Sequence, residues 1–580
     1  MADVATGRER PGPGREEWLA AAGIALLGLV LRLAHLQQIR AHDPFFDRPS
    51  VDARVYHEWA LQIAGGPWLG HEPFFMAPLY PYFLSWVYGI FGPSFLVARL
   101  VHCLLGTVTC VLVWRLAREF FDRRVSLLAG FLVAFYSMFL FYEGSLLLAT
   151  LLTTLTTLTV LAAVRALALP TPIRWAGVGS LVGLTALARP NVLLFAPVLL
   201  LWMFGVLRRE ASRWRRLALA AAFMTGGAVL VLPVTLRNLV VTGDATIIAT
   251  SGGSNFYSGN NPDANGAYLV PRPFSRLATD SAPEQAVRYH EYAERALGRE
   301  LRPSEASAYW FGRGLEYIRE NPAAWLRLEA RKLALFLNAA EIWNNRSFEL
   351  ARRFSWLLQL PLVSFGAIAP FAFLGIGVST RHAKRLFPLY AMVGVYLLTA
   401  LLFFVLSRYR IPVVPVLIVF AAHGAVYLLD AWRERRIRVL AMGLASAVLF
   451  AIGSHAPIIH QNLGMAHYNL GNRYKEREAW PLAIEEYTRA LALDPTYLPL
   501  SNNLAWVYEQ SGEHRREAIR TWVSVLELAK RQGLTAYAGR ARRHLSDLGA
   551  HAETGDTDPA PPRVSVEPSA RQLPLPAPGL

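Results

Sequence analysis

A series of long apolar runs, recurring from residue 18 to residue 454, constrains the fold of this chain more than any other feature. A helix needs about 20 mostly apolar residues to cross a bilayer, and eleven runs reach or approach that length. Hydrophobic residues make up 54% of the chain and charged residues only 17%. The sequence therefore predicts an all-α polytopic membrane protein. The predicted spans are residues 18–37, 96–117, 125–141, 144–168, 174–189, 191–207, 216–236, 356–377, 386–406, 411–430 and 437–454.

Short basic clusters between the apolar runs predict how the chain is oriented. Counted through eleven spans, every cluster falls on the same side as the N-terminus, and cytoplasmic loops carry the excess of Lys and Arg. We therefore expect a multi-pass protein of the cell (inner or plasma) membrane with residues 1–17 in the cytoplasm. The same count places the first loop (38–95), the large loop (237–355) and the chain after residue 455 outside. Because the net charge of +16 is spread over short loops, it argues against a nucleic-acid partner.

The composition changes after the membrane domain, which we assign to residues 18–454. Residues 460–548 have the mixed polar and apolar character of a water-exposed helical module. Residues 549–580 are rich in Pro, Ala, Ser and Asp and contain too little apolar surface to fold. The sequence thus predicts a membrane domain, a helical module and a disordered tail.

The helical module carries an internal repeat with the spacing of a tetratricopeptide unit, a helix–turn–helix of about 34 residues. The first copy is marked by Leu470, Gly471, Tyr474, Ala483, Tyr487, Ala490 and Pro495. The second copy is marked by Leu504, Tyr508, Gly512, Ala518 and Trp522. Such repeats usually bind proteins, so we expect a protein partner here; a bare spacer is the alternative.

Acidic side chains are concentrated in the first loop of a chain that is otherwise poor in charge. We interpret Asp43 and Asp47 as solvated loop residues. Asp52 is different, because the apolar positions around it recur at intervals of four and predict an amphipathic helix in the membrane interface. Asp52 and Tyr56 share an adjoining face of this helix. A carboxylate held against an apolar surface accepts a proton readily, so we expect Asp52 to act as a general base.

A set of short motifs follows in a fixed order along residues 18–430. After the acid and the Tyr of the first loop come Pro78-Leu79-Tyr80-Pro81, Phe91-Gly92, Ala98-Arg99-Leu100, Tyr142-Glu143, Ala188-Arg189-Pro190, Arg237-Asn238, Gly252-Gly253, Gly259-Asn260-Asn261, Asn321-Pro322, Lys332 and Arg408-Tyr409-Arg410-Ile411-Pro412. In this order they resemble the multi-spanning GT-C glycosyltransferases. The similarity is greatest to bacterial relatives of the protein O-mannosyltransferases and of the lipid A aminoarabinose transferase.

The resemblance implies a function for the membrane domain. It implies a polyprenyl-phosphate sugar donor, an acceptor glycan, lipid or protein on the extracytoplasmic face, and an inverting transfer with Asp52 as the base. Many relatives carry a second acid directly after the first, where this chain has Ala53. We therefore expect Glu143 to supply a second catalytic carboxylate. A divalent metal is left open, and no other cofactor is implied.

A donor phosphate requires cationic side chains, and arginine offers a planar pair of N–H donors to it. The candidates on the predicted outer face are Arg237, Lys332, Arg408 and Arg410. The residues expected to line the substrate site are Tyr56, His71, Glu72, Asn238 and Tyr409.

Three other functions are compatible with parts of the sequence. A transporter or flippase of lipid-linked sugars would place charged or broken helices near the bilayer midplane, whereas charges here gather in the loops. An O-antigen ligase or polymerase also lies in the membrane, but the early acid of the first loop favours a transferase. A scaffold that recruits partners through the repeats would not need eleven spans.

Overall fold

The structure is a computed structural model that describes residues 14–66, 68–244, 246–271 and 282–550. Within these residues it is built from helices, with two isolated β-bridges and no strand. The chain divides into two compact units, Met1–Gln461 and Asn462–Leu580. The predicted disordered tail lies outside the described residues from residue 551 onward, as do the first 13 residues of the predicted cytoplasmic N-terminus.

The first unit consists of helices and short 3-10 turns. Its α-helices are α1 (Arg15–His42), α2 (Asp52–Gly65), α3 (Leu79–Phe91), α4 (Phe95–Phe120), α5 (Arg123–Ala134), α6 (Ser137–Glu143), α7 (Ala149–Ala168), α8 (Pro172–Ala188), α9 (Phe195–Val206), α10 (Arg213–Thr242), α11 (Gly252–Gly259), α12 (Ala282–Leu297), α13 (Pro303–Glu320), α14 (Pro322–Leu337), α15 (Phe348–Ala351), α16 (Trp356–Gln359), α17 (Phe365–Val378), α18 (Ala383–Leu402), α19 (Ser407–Arg410), α20 (Val414–Arg433) and α21 (Ile437–Ser454). Its 3-10 turns are Pro190–Leu194, Arg352–Phe354, Thr380–His382 and Ile411–Val413.

The second unit is a run of five consecutive helices in its described part. They are α22 (Gly464–Glu476), α23 (Trp480–Leu493), α24 (Leu498–Gln510), α25 (Arg515–Gln532) and α26 (Thr535–Asp547). A Cβ atom on Gly471 would lie 2.6 Å from the ring of Tyr487, so only glycine permits this approach of α22 to α23. Tyr487 donates a hydrogen bond to Asn472 at 2.6 Å, and Asn503 of α24 donates to the same oxygen at 2.9 Å. The identity of these helices as tetratricopeptide repeats stays a prediction.

Seven helical segments among the described residues are long and apolar enough to cross a membrane. They are α1, α4, α7, α10, the segment Thr380–Leu402 with α18, the segment Ser407–Arg433 with α19 and α20, and α21. Two shorter apolar segments are Pro190–Val206 and Phe365–Val378. The predicted all-α polytopic membrane architecture is confirmed, whereas the count of eleven spans stays a prediction.

The predicted span 125–141 forms two helices, α5 and α6, rather than one. Between them Tyr136 has an extended backbone with φ −74° and ψ 111°. The N–H of Ser137 donates to the carbonyl of Val363 at 2.9 Å, and the N–H of Val363 donates to the carbonyl of Phe135 at 3.1 Å. These bonds satisfy the backbone groups that the break leaves free, which a membrane protein requires wherever a helix is interrupted.

Helix α7 lies in the centre of the first unit and joins its neighbours through threonine hydroxyls. Thr154 lies 2.8 Å from Thr109 of α4, and Thr156 lies 3.2 Å from Tyr396 of α18. Thr154 also donates to the carbonyl of Thr150 one turn earlier. Polar side chains at helix interfaces in membranes form such bonds across helices. The hydroxyls of α7 therefore connect it to α4 and α18.

An ion pair buried among α1, α4 and α6 holds these helices together. Arg32 is 1% exposed and Glu143 is 3% exposed. The Arg32 guanidinium makes two contacts of 2.9 Å with the Glu143 carboxylate and donates to the carbonyl of Gly28 at 3.0 Å. Gly106 of α4 leaves the space for this pair, because a Cβ atom there would lie 2.0 Å from Glu143 Oε1.

We predict that Gly106→Ala lowers the free energy of unfolding by about 3 kcal/mol, because the new methyl group displaces the buried carboxylate from Arg32. Gly23→Ala in α1 is the matched control, since a Cβ atom there meets no atom within 4 Å. Thermal unfolding of the detergent-solubilised protein measures the difference. Equal unfolding temperatures for the two variants would contradict the role assigned to Gly106.

Candidate active site

The backbone immediately before Asp52 adopts a conformation that places this residue at the start of α2. Val51 has φ 52° and ψ −129°, a region that glycine adopts readily and a β-branched residue does not. Such a conformation costs about 1–3 kcal/mol and persists where the surroundings hold it. The N–H of Arg54 donates to the carbonyl of Val51 at 3.1 Å, which closes the first turn of the helix.

The Asp52 carboxylate is held by side chains from two distant parts of the chain. Arg408 of α19 donates from Nη1 to Asp52 Oδ2, and Asn345, from the segment between α14 and α15, donates from Nδ2 to the same oxygen at 3.0 Å. The Asp52 side chain is 11% exposed and the Arg408 side chain 19% exposed. The structure thus brings two predicted site residues, Asp52 and Arg408, into direct contact.

A small cavity next to this pair is bordered by two guanidinium groups and by apolar side chains. It is lined by Tyr56, Leu147, Leu148, Ala149, Leu152, Arg189 and Arg408. Arg189 follows the last residue of α8, and its guanidinium lies over the ring of Tyr409, 3.7 Å from the ring centre. Burial raises the pKa of Tyr56 above its ordinary value, so the Tyr56 hydroxyl stays protonated and can donate a hydrogen bond.

The two guanidinium groups of the cavity retain unused hydrogen-bonding capacity. Arg189 has no hydrogen-bond or ion-pair partner among the described residues, and its contact with Tyr409 is a stacking contact. Arg408 Nε is buried and has no hydrogen-bond partner in the same part of the chain. Buried polar groups are nearly always hydrogen-bonded. These donors are therefore available to an anionic ligand.

The other predicted cations are engaged by the protein itself. Lys332 is 0% exposed and donates to Glu329 at 2.7 Å, to the carbonyl of Leu401 at 2.7 Å and to Asn260 at 3.3 Å. These three bonds use every N–H of the ammonium group. Burial lowers the pKa of Lys332. Lys332 therefore connects α14 to the neighbouring segments instead of facing the cavity.

Arg410 lies two residues after Arg408 and points to a different set of groups. It is 3% exposed and donates to the carbonyls of Phe336 and Asn338 at 3.0 and 2.6 Å, and to Glu341 at 3.0 Å. The Arg410 side chain thus fixes the chain just after α14, the segment that leads to Asn345.

Arg237 and Asn238, at the end of α10, hold two loops. Arg237 donates to the carbonyl of Leu69 at 2.6 Å and lies 3.9 Å over the ring of Phe74, both in the first loop. Asn238 donates to the carbonyls of Thr246 and Ile248 at 3.0 and 3.2 Å. The two side chains therefore position the first loop and the start of the large loop.

The remaining acidic and basic candidates do not contact Asp52 in this structure. Glu143 contacts Arg32 with both carboxylate oxygens. His71 and Glu72 are exposed in the first loop. The expectation that Asp43 is solvated is wrong: it is 4% exposed and accepts a bond from Arg346 at 2.8 Å, since the segment after α14 folds over the first loop.

The groups around Asp52 do not form a typical divalent-metal site. No group of three or more His, Cys, Asp or Glu residues suited to a metal ion occurs within residues 14–66, 68–244, 246–271 and 282–550. Asp52 is instead surrounded by a guanidinium and an amide nitrogen. Calcium and magnesium prefer several oxygen ligands, so the donor set does not fit them.

Two site residues, Arg189 and Asn345, were missed as candidates by the sequence reasoning. Arg189 was noted only as part of the motif Ala188-Arg189-Pro190. An arginine between the end of an apolar helix and a proline could have indicated a functional residue. Asn345 lies in the polar run Asn344-Asn345-Arg346. Nothing in that run distinguishes one asparagine from the other, because their roles depend on the fold.

Part of the chain matches a known protein family. Residues 72–236 match the family model described as dolichyl-phosphate-mannose-protein mannosyltransferase. The matched segment includes α3 to α9 and Arg189, and lies between Asp52 and Arg408 in the sequence. Over this segment, the resemblance expected from the order of the motifs is confirmed. None of the curated proteins compared with the chain matches it.

The fold is similar to solved structures of low sequence identity. One is the Archaeoglobus fulgidus oligosaccharyltransferase in complex with Zn and sulfate, at 17% identity and a TM-score of 0.42, covering 80% of this chain and 57% of that one. Another is ArnT from Cupriavidus metallidurans bound to undecaprenyl phosphate, at 15% identity and a TM-score of 0.35, covering 72% of this chain and 79% of that one. The chain thus spans little more than half the length of the archaeal enzyme.

We predict that Arg408→Ala lowers the free energy of unfolding by about 3 kcal/mol, because the buried Asp52 charge loses its counter-ion. Adding Asp52→Asn removes that charge, so the double variant should be more stable than Arg408→Ala alone. Thermal unfolding of the detergent-solubilised protein gives the order of the variants.

The matched control for this series is Arg54→Ala on the same helix as Asp52. The Arg54 side chain is 47% exposed and lies 4.0 Å from Glu58, so its loss should change the stability by less than about 1 kcal/mol. A double variant that is no more stable than Arg408→Ala would contradict the buried pair.

Proposed function

We propose that this protein is a membrane glycosyltransferase that moves a sugar from a polyprenyl-phosphate donor to an acceptor hydroxyl, with Asp52 as the general base. The observation that carries the proposal is the meeting of Asp52 and Arg408 beside a cavity that also contains Arg189. The match of residues 72–236 to a mannosyltransferase family supports the same class of reaction. The acceptor is a glycan, a lipid or a protein on the extracytoplasmic face.

The donor phosphate is assigned to Arg189 and Arg408. Arginine binds phosphate through paired N–H donors, and both groups have donors free of protein partners. The protonated Tyr56 hydroxyl is a third donor at the same cavity. The leucines that also line the cavity provide an apolar surface for the first isoprene units of the lipid. Charge and apolar surface therefore match the two ends of a polyprenyl phosphate.

The proposed reaction begins with the acceptor hydroxyl beside Asp52. The hydroxyl oxygen attacks the anomeric carbon of the donor sugar while its proton passes to the Asp52 carboxylate. The bond between the anomeric carbon and the phosphate oxygen breaks, and its electron pair leaves with the polyprenyl phosphate. Attack opposite the leaving group inverts the anomeric centre. Arg189 and Arg408 stabilise the negative charge that develops on the phosphate.

The other predicted residues are assigned supporting roles. Arg410, Arg237 and Asn238 bond mainly to backbone carbonyls, and Lys332 bonds to two side chains and one carbonyl, so we assign all four to positioning the loops around the site. Glu143 is assigned to the ion pair with Arg32 and given no catalytic step. Tyr409 orients Arg189 by stacking. His71 and Glu72 remain candidates for contact with the substrate from the exposed part of the first loop.

The orientation and the partner of the second unit follow from the same proposal. The acceptor side is extracytoplasmic if the N-terminus is cytoplasmic, as the distribution of basic residues indicates. An odd number of spans then places the second unit outside as well. We assign it to binding a protein partner through its helical repeats, at the cell membrane.

The flippase alternative is favoured by one observation, the charged pair of Arg32 and Glu143 buried in apolar helices. Ionisable residues within membrane segments often mark a transport path. A flippase would move a lipid-linked sugar without consuming it, whereas a transferase releases free polyprenyl phosphate. Measuring released polyprenyl phosphate therefore separates the two functions.

We predict that deleting the protein removes a sugar from an envelope glycan, lipid or protein, and that the Asp52→Asn variant does not restore it. Asparagine keeps the shape of the side chain but cannot accept the proton. Mass analysis of envelope glycoconjugates measures the loss. Glu58→Gln, a change of an exposed carboxylate on the same helix, is the matched control and should restore the sugar. Near-normal transfer by Asp52→Asn, at equal membrane levels, would contradict the mechanism.

We predict that Arg189→Ala weakens the binding of undecaprenyl phosphate by about 10-fold or more, since a hydrogen bond to a charged group contributes about 1.5–3 kcal/mol. Displacement of a labelled lipid phosphate from the purified protein measures the affinity. Arg54→Ala should bind nearly as the unchanged protein does, and Asp52→Asn should bind at least as tightly, because it removes an anion that shares Arg408 with the phosphate. Unaltered affinity of Arg189→Ala would remove Arg189 from the donor site.

A further inference from the structure

Among the described residues, Asn345 is the one neutral side chain that bonds to the Asp52 carboxylate. Its Nδ2 donates to Asp52 Oδ2 at 3.0 Å. Asn345 is 8% exposed, and its Oδ1 is buried without a hydrogen-bond partner in the part of the chain that the structure describes. Buried polar atoms are nearly always hydrogen-bonded, so an unpaired oxygen next to a reactive carboxylate points to a missing ligand.

The orientation of the Asn345 amide is fixed by the chemistry of its partner. An ionised carboxylate only accepts hydrogen bonds, so the amide nitrogen must face Asp52 and the amide oxygen must face away. Arg408 also donates to Oδ2. Both protein donors therefore bind one carboxylate oxygen, and Oδ1 of Asp52 is left to receive a proton from a substrate.

We infer that Asn345 is a positioning residue that orients the Asp52 carboxylate through Nδ2 and binds a second hydroxyl of the substrate through Oδ1. The inference rests on the proposed function. The reacting hydroxyl has a single hydrogen, which goes to Asp52, so the Asn345 oxygen requires another O–H donor. The substrate class is thus one that carries a further hydroxyl near the reacting centre, as the sugar of the donor or of a carbohydrate acceptor does.

The segment that carries Asn345 is held on both sides, which a positioning residue requires. Arg346, the next residue, donates to Asp43 in the first loop at 2.8 Å. On the other side, Arg410 donates to the carbonyl of Asn338 at 2.6 Å, and the N–H of Ser407 donates to the carbonyl of Ile342 at 2.9 Å. A side chain on a segment fixed in this way keeps its geometry when substrate binds.

The first test addresses the orientation of the Asp52 carboxylate separately from the binding of the substrate hydroxyl. Asn345→Asp keeps an acceptor oxygen, removes the donor to Asp52 and adds a neighbouring negative charge. Two adjacent carboxylates resist ionising together, so the acid limb of the kcat/KM profile should move to higher pH by about 1 unit. Burial raises the pKa of Tyr56 and of Tyr268, which also lie near Asp52, and an arginine such as Arg408 is always charged, so none of these groups titrates in that range.

Asn344→Asp is the matched control for the pH profile. Asn344 is the preceding residue, is only partly buried and has no hydrogen bond within the described ranges. Its profile should coincide with that of the unchanged protein. An acid limb that stays in place in Asn345→Asp, or moves equally in Asn344→Asp, would overturn the orienting role.

The second test addresses the Asn345 oxygen. Asn345→Ala removes both the donor and the acceptor, so kcat should fall and KM for the hydroxyl-bearing substrate should rise, each by about 10-fold. Asn345→Asp should keep KM within about 3-fold, because it retains an acceptor. Equal KM values for Asn345→Ala, Asn344→Ala and the unchanged protein would overturn the substrate contact.

The failure of this inference is distinguishable from failure of the proposed function. If the unchanged protein transfers no sugar from a polyprenyl-phosphate donor, the proposed function fails. If the unchanged protein transfers sugar and Asp52→Asn does not, while both Asn345 variants keep the original pH profile and KM, only the role of Asn345 fails. Thermal unfolding of each variant shows whether a loss of rate reflects a loss of folding.

Discussion

A charge removed from water must be paired, and the buried carboxylate of Asp52 depends on this constraint more directly than any other group near the site. Asn345 lies 293 positions from Asp52 in the sequence, and Arg408 lies 356 positions from it. Because both side chains bond to the Asp52 carboxylate, three parts of the chain are fixed relative to one another. They are the start of α2, the segment that follows α14, and helix α19. The same contacts hold the strained backbone of Val51, the residue that precedes Asp52 at the start of α2.

Five cations of the membrane unit differ in whether their partners belong to the protein or whether they border the cavity. Arg32, Lys332 and Arg410 each have a carboxylate and at least one carbonyl or amide oxygen as partners. Arg408 Nε is buried without a hydrogen bond, Arg189 is partly buried and stacks on Tyr409, and both side chains line one cavity. Partners within the protein fix helix and loop positions. The buried Nε of Arg32 also lacks a hydrogen bond but lies against Glu143, whereas the unpaired Nε of Arg408 belongs to a side chain that borders the cavity and is available to a ligand.

The sequence was sufficient to predict the class of fold and the two site residues Asp52 and Arg408. It was not sufficient to predict which cations border the cavity and which bond to other parts of the protein. Apolar runs predict helices because burial in lipid follows directly from composition, and the acid of the first loop stands out in a chain with few charges. Lys332 and Arg410 are cations on the predicted outer face, as Arg408 is. In the structure, however, Lys332 donates to Glu329 and Arg410 donates to Glu341. Asn345 could not be predicted, because its role comes from a contact across 293 positions.

Arg408 connects the two parts of the proposed reaction, because it bonds to the base Asp52 and is also assigned to the donor phosphate. Before the donor binds, Arg408 Nη1 is bonded to the base and Nε is unpaired. A phosphate that bonds to the remaining edge of the guanidinium divides the positive charge between two anions. The same side chain thus contacts the base and, in the proposed complex, the leaving group, so the positions of the two depend on each other. Asn345, being neutral, keeps the carboxylate oriented during this change without opposing it.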